Sequence, residues 1–132
     1  MEEISLDKIT EKIIASAFKV SNTLGIGFVE KVYENAHAHQ MRKDGLKVVQ
    51  QPPIKVEYDS VLVGEFFADM LVEDRVLVEL KAVSELTSEH FAQALNYLRA
   101  TGLDACLLIN FGKSRIQIRH LHPSPNWKAA KP

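Results

Sequence analysis

The spacing of the apolar residues changes once along this chain, at Gly45, and that change limits what it can fold into. Before it, apolar residues at 6, 9, 13, 14, 17, 18, 20 and 24 fall on one helical face. Ser5 or Asp7 can cap the start of that helix, and Gly25 fits the left-handed position after its end. A second helix is expected over 28–43, closed by Gly45, with Gly27 allowing a sharp turn before it. After Gly45 the period falls to two, and strands are expected over 47–51, 54–58, 61–72 and 75–83. Pro52-Pro53 marks an edge or bend, because proline cannot donate to a ladder, and Asp59-Ser60 reads as a turn. Thr87 or Ser88 then starts a helix with the apolar face Phe91, Ala94, Leu95 and Leu98, ending at Gly102. Residues 105–111 are apolar on both faces and predict an interior strand; a turn at Gly112-Lys113 leads to a last strand over 115–121.

These elements predict an α/β domain, a mixed β-sheet flanked by helices in the order α-α-β-β-β-α-β-β. With 132 residues the chain is long enough for one core without disulfides or metal staples. One domain over 1–122 is expected, followed by a turn-rich, flexible tail over 123–132, where Trp127 reads as an interface anchor or as packing on the last strand. The single cysteine, Cys106, sits in an apolar run and reads as a buried structural thiol. The N-terminus is charged and amphipathic, with no signal-peptide core, and no apolar stretch is long enough to span a membrane, so a cytoplasmic protein without membrane partners is expected.

The net charge of −1 hides an uneven distribution. Residues 57–89 carry nine acids against Arg75 and Lys81, a local balance of −7, whereas residues 99–132 carry six bases against Asp104, a balance of +5. An acidic centre beside a basic C-terminal third suits a cation and a polyanion held together.

The acids penetrate the strands. Asp69 interrupts the run 61–72, and Glu79 and Lys81 interrupt 75–83 on one strand face, with Val76, Val78 and Leu80 on the other. Asp69 shares its face with Glu65, Phe67 and Leu71. Loop parity decides whether the two strands bring Asp69 to Glu79. A two-residue turn at Glu73-Asp74 separates them, while a three-residue loop over 73–75, or a bulge, sets 69 opposite 79 and 67 opposite 81. The odd loop or the bulge is expected. Two close carboxylates repel and raise one another's pKa unless a cation intervenes, and acid oxygens with waters suit Mg²⁺ or Mn²⁺ rather than zinc. Lys81 beside them can orient a water or stabilise charge on a phosphate under attack. The bland counterpart is a cross-strand salt bridge from Lys81 to Glu79 or Glu65.

Two polar stripes accompany this constellation. Glu30, Tyr33 and His37 share one stripe of the second helix, and Gln93 and Tyr97 lie one turn apart on the later helix. His37 and His39 point apart on a helix and do not chelate together, and His120 and His122 share a strand face near the terminus. Gly25-x-Gly27 lacks the strand and third glycine of a dinucleotide fingerprint. Lys113, Arg115 and Arg119, at a hairpin tip and along its last strand, are candidate phosphate contacts.

GFVEKVY, from Gly27 to Tyr33, has the form G-x-x-E-x-x-Y. Together with Asp69, Glu79-x-Lys81 and the later QALNY (Gln93 to Tyr97), it resembles the small GxxExxY proteins of the PD-(D/E)XK nuclease superfamily, over nearly the whole chain. The resemblance implies a restriction-endonuclease-like core. It implies Asp69 and Glu79 as ligands of Mg²⁺ or Mn²⁺, Glu30 as a helix glutamate joining that shell, and Lys81 as the residue that positions the nucleophilic water. Gln93 and Tyr97 match the Q-x-x-x-Y motif of the RecB-type branch, which helps to hold substrate or lysine, and Gly27 and Tyr33 belong to the family motif. Ala68 stands where the superfamily pattern has proline, and cysteines for an iron–sulfur cluster are lacking. A divalent-metal-dependent nuclease acting on DNA in preference to RNA is the implied function. The alternative is a non-catalytic module that keeps the fold and binds nucleic acid or protein. A homodimer or a protein partner is a further expectation for so small a domain.

Overall fold

The computed structural model describes residues 4–123. The expected tail from 124 onward, with Trp127, Lys128 and Lys131, lies outside them. Helix α1 (Leu6–Leu24) is capped by Ser5, whose hydroxyl accepts from the Lys8 N–H at 3.2 Å. It buries Ile9, Ile13, Ala17 and Val20 on one face.

Helix α2 (Glu30–Lys43) starts two residues later than its apolar pattern suggests, because Phe28 and Val29 stay outside it. The Tyr33 hydroxyl pins this entry: it accepts from the Phe28 N–H at 3.3 Å and donates to the Gly25 carbonyl at 2.6 Å. Gly27 carries φ +112°, a backbone conformation that side chains oppose, and so permits the bend. The expected polar stripe of α2 is thereby corrected. Tyr33 and His37 are fully buried, Tyr33 stacked on Phe111 with centroids 4.9 Å apart, and only Glu30 of the three is exposed.

Five strands form the main sheet in the order β1-β4-β5-β6-β7: β1 (Val48–Gln50), β4 (Met70–Val72), β5 (Val76–Lys81), β6 (Ala105–Asn110) and β7 (Gln117–Leu121). The β5–β6 pair is parallel, linked through α3 (Ser88–Thr101), and the other pairs are antiparallel, so the sheet is mixed as expected. Thr87 caps α3 through a capping box with His90, and Gly102 ends it in the left-handed conformation.

β2 (Pro53–Tyr58) and β3 (Val61–Phe67) pair only with each other, in a separate ribbon. The expected strand over 61–72 therefore breaks at Ala68-Asp69, and five strands stand before α3 where the expected order has three, giving α-α-β-β-β-β-β-α-β-β. The break is set from a distance. The Pro52 carbonyl accepts from Ala68 N–H at 3.1 Å and Gln51 N–H donates to the Asp69 carbonyl at 2.8 Å, while Gln51 itself takes φ +56°. Both chains leave the ribbon at one point and enter the sheet together. Asp69 consequently shares no continuous strand with Glu65 and Phe67, and Phe67 pairs with Pro53 instead of standing opposite Lys81.

Val76, Val78, Leu80, Leu107 and Ile109 pack toward α1 and α2, and Leu77 and Cys106 pack with Ala94 and Leu98 of α3. Cys106 is fully buried, and burial pushes its thiol pKa upward, which keeps it an inert core group. Among the described residues no helix is long and apolar enough to cross a membrane.

Candidate active site

The hairpin loop decides the site. Met70 pairs with Val78, Leu71 with Leu77 and Val72 with Val76, so the connection is the three-residue loop over 73–75. Glu73 and Asp74 adopt φ +53° and +57°, and Arg75 N–H closes the loop on the Val72 carbonyl at 3.1 Å. One further step of this register sets Asp69 opposite Glu79. The two acids then exchange backbone contacts: Asp69 N–H donates to Glu79 Oε1 at 2.9 Å, and Leu80 N–H donates to Asp69 Oδ2 at 2.7 Å.

Each carboxylate is thus held by one oxygen, and neither Asp69 Oδ1 nor Glu79 Oε2 meets a hydrogen-bond donor among the described residues. Burial and the Asp69 charge push the Glu79 carboxyl up to about 8. Asp69 is also raised, by burial and by the charges of Glu34 and Glu30. Crowded acids whose carboxyls are raised, with an oxygen apiece left open, suit a hard divalent cation completed by water and phosphate oxygens. The residues fit a divalent cation of that kind. Among the described residues no three His, Cys, Asp or Glu side chains gather closely enough to hold a metal by themselves.

Lys81 lies half-buried at the end of β5 and forms no ion pair among the described residues. The salt bridge to Glu79 or Glu65 is therefore absent from this arrangement. Its ammonium instead donates to Gln93 Oε1 at 3.1 Å, which joins β5 to α3. Tyr97 follows one helical turn later, its pKa raised by burial and by the charges of Glu79 and Asp69. Asp69, Glu79, Lys81, Gln93 and Tyr97 therefore come together. Glu30 faces the same region across a cleft of about 310 Å³ lined by Glu30, Lys31, Glu34, Gln51, Asp69 and Leu80, without joining the carboxylate pair. Gly27 and Tyr33 shape the entry to α2 behind that cleft.

The candidate phosphate contacts separate. Lys113 is committed to Glu85 at 2.9 Å. Arg115 is exposed in the β6–β7 connection, which the pairings Lys81–Asn110 and Asn110–Gln117 place at the same end of the sheet as Lys81. Arg119, exposed farther along β7, donates to its neighbour's carbonyl at Ile118. His120, on β7, and His122 stack with centroids 6.2 Å apart.

Two residues at the site escape the sequence reading. Glu34 is buried in the cleft wall and accepts from Lys31 at 3.1 Å, Gln50 at 2.7 Å and Gln51 at 2.8 Å. The spacing Glu30-x-x-x-Glu34 places both acids on one helix face and was the available signal. Asn110, fully buried, accepts from Val83 N–H at 3.0 Å and Gly112 N–H at 2.9 Å and donates to the Val83 carbonyl at 2.9 Å, which fixes the chain just after Lys81. Nothing local announces that role.

A sequence model of the PD-(D/E)XK nuclease superfamily matches residues 7–121. No curated protein matches the chain. Among solved structures it is similar to the alkaline exonuclease LHK-Exo from Laribacter hongkongensis, with a TM-score of 0.56 and 14% identity, over 97% of this chain and 75% of that one. That likeness shows a shared fold. The family match spans every acid discussed above, and the chain belongs to the PD-(D/E)XK nuclease superfamily.

Proposed function

We propose that this protein hydrolyses phosphodiester bonds in DNA with the help of Mg²⁺ or Mn²⁺, as one nuclease unit over 1–122 of the small GxxExxY group, acting in the cytoplasm. One observation carries the reading: Asp69 and Glu79 are locked together through backbone N–H groups, each with an oxygen open, beside a lysine that forms no ion pair among the described residues. A divalent cation held by these oxygens supplies Lewis acidity at the phosphate and acidifies a water. Asp69 and Glu79 would hold it, and Glu30 would add negative charge across the cleft. Lys81, oriented by Gln93, holds the attacking water and offsets charge gathering on the phosphate. Tyr97 braces Gln93 and the substrate strand. Arg115, with Lys113 and Arg119 behind it, meets phosphates outside the cleavage centre.

Purified protein is incubated with end-labelled single-stranded DNA, duplex DNA and RNA in Mg²⁺, Mn²⁺ or EDTA. Cutting of DNA that EDTA abolishes, and that Glu79→Ala and Lys81→Ala both lose while keeping the wild-type circular dichroism, is the expected result. Equal cutting by Glu79→Ala rules the assignment out.

A second reading has one observation in its favour. Glu30 stands apart from the acid pair, so among the described residues only the Asp69 and Glu79 side chains would hold the metal in this arrangement. On that reading the chain is a binding module that keeps the nuclease fold and pairs with nucleic acid, another protein or a second copy. Metal-independent melting together with unchanged nucleic acid in every cleavage lane is its result.

A further inference from the structure

Phe66 is a large aromatic residue left 46% exposed at the end of the β2–β3 ribbon, three positions before Asp69. Its partner across the ribbon, Ile54, is buried in the cluster that contains Ala94 and Leu98 of α3, so this side of the ribbon faces α3. The Phe66 ring meets Tyr97 of α3 with centroids 5.7 Å apart and planes tilted by 36°. It lies over Gly64, where a Cβ would stand 3.4 Å from the ring, so no side chain comes between ring and ribbon. Tyr97 is one helical turn from Gln93, and Gln93 holds the Lys81 ammonium. A continuous path therefore runs from the exposed ring through Tyr97 and Gln93 to Lys81 and the acids.

The charge around this ring makes its neutrality useful. Residues 57–89 carry a balance of −7, including Glu57, Asp59 and Glu65 on the ribbon itself. A polyanion approaching such a surface is repelled, and the carboxylate pair adds to the repulsion until a cation neutralises it. Stacking of a base on an aromatic ring requires no positive charge and accepts any base, since every base has a π-face. The bases inside a duplex have both faces covered, whereas a single strand or a frayed end leaves them open.

We propose that Phe66, backed by Tyr97, is the stacking platform for the nucleobase next to the phosphate at the Asp69–Glu79 pair, so that the site takes strands whose bases are unpaired at the cut. The inference rests on the nuclease reading for its reaction and adds the substrate class and a residue that selects it. Phe66 acts here as a specificity residue; it touches the base and leaves the reacting atoms to the acids and the lysine.

The test pairs cleavage with a binding signal that needs no chemistry. Wild type, Phe66→Ala and Phe66→Trp are compared on a single strand, on the same strand with abasic positions flanking the cut, and on its duplex, in Mg²⁺ and Mn²⁺. In parallel, quenching of 2-aminopurine in a single strand is followed in Ca²⁺. Wild type and Phe66→Trp should cut the intact strand about tenfold faster than the abasic one and should quench 2-aminopurine. Phe66→Ala should lose both distinctions, with the change falling on KM. If Phe66→Ala melts earlier but still discriminates and still quenches, the ring is ribbon packing and the proposal is overturned. A change from dimer to monomer in Phe66→Ala, with quenching intact, overturns it in favour of an interface between copies. Wild-type cutting without discrimination removes the platform and leaves the nuclease. Quenching without cutting supports the platform and removes the nuclease, and absence of both removes both.

Discussion

Glu34 and Glu79 are buried acids, 3% and 4% exposed, in one corner of the molecule, and their surroundings differ in kind. Glu34 receives donors from Lys31, Gln50 and Gln51, so its charge is met on both oxygens. Glu79 receives one backbone N–H, and Asp69 stands among the charges closest to it. Glu34 behaves as a joint: it ties α2 to the segment where β1 hands over to the ribbon. Glu79 is held in place by a single donor, with its second oxygen left open. Burial does not separate a structural acid from a chemical one; the supply of donors does.

The largest effect that can break this contrast is at Glu79. Glu79→Gln keeps the shape and an oxygen for Asp69 N–H while removing the charge. Cleavage should fall by about 10²–10³-fold or more in a single-turnover assay. The metal-free variant should nevertheless be more stable than wild type at pH 8, by about 1–2 kcal/mol in urea melts with EDTA. The sign follows from the carboxyl being raised to about 8. Stability from the protonated group is complete below the ordinary carboxylate range and is lost as the pH rises through the folded-state value, so the variant's advantage grows with pH. A variant less stable than wild type at pH 8 would make Glu79 another Glu34.

His37 supplies a buried ionisable group of opposite sign. Its Nε2–H lies 3.0 Å from the Ile13 carbonyl and 2.9 Å from the Ser16 hydroxyl, and Nδ1 has no partner among the described residues. Burial lowers its pKa to about 4. The unfolded chain therefore takes up the proton first as the pH falls. The stability from the neutral ring is complete above about 6.5 and is lost toward pH 4, by about 1.4 kcal/mol per pH unit and about 3 kcal/mol across the window. Urea melts of wild type and His37→Gln between pH 7 and 4 check it, and the variant should show the shallower slope. The site should thus limit stability on the alkaline side and the core on the acid side.

Glu34→Ala isolates the other half of the comparison. Removing the shared acceptor leaves Gln50 and Gln51 without their Glu34 contacts and loosens the handover between sheet and ribbon. A loss of about 2 kcal/mol in a urea melt is expected, against a gain for Glu79→Gln under the same metal-free conditions at pH 8. Two neighbouring acids giving opposite signs would establish the contrast in one experiment.

How far the sequence reveals this molecule depends on the range of the causes. The helix ends are legible because Ser5, Thr87 and Gly102 act on residues within one turn. The loop over 73–75 is legible because side-chain parity requires an odd loop or a bulge to unite Asp69 with Glu79, which makes the acids themselves the clue, and the structure takes the odd loop. The break at Ala68 is not legible. Its cause is hydrogen bonding to Gln51 and Pro52, about seventeen residues away, and the apolar run 61–72 gives no local sign of it. Tyr33 and His37 mislead for a related reason: their polar tips find partners at Gly25 and Ile13 that only the folded chain supplies, so a stripe that looks solvated is buried. Glu34 is missed because an acid among polar neighbours reads as surface until Lys31, Gln50 and Gln51 are seen to converge on it.

The smallest effect sharpens the contrast most directly, because it asks which acid sees metal. A cation that binds only the folded protein stabilises it by mass action, by about 1.4 kcal/mol when its concentration is tenfold above Kd. Asp69 Oδ1 and Glu79 Oε2 are the oxygens open to such a cation, whereas both oxygens of Glu34 already accept from amides or an ammonium. Melting in 10 mM Mg²⁺ or Mn²⁺ against EDTA should therefore raise the Tm of wild type by a few degrees. Asp69→Asn should abolish the rise and Glu34→Gln should keep it, whatever each does to the starting Tm. The difference between metal and EDTA cancels the packing changes that either substitution introduces. If Glu34→Gln loses the rise and Asp69→Asn retains it, the acid with the most donors is the one that binds metal, and the donor argument that separates these two residues is wrong.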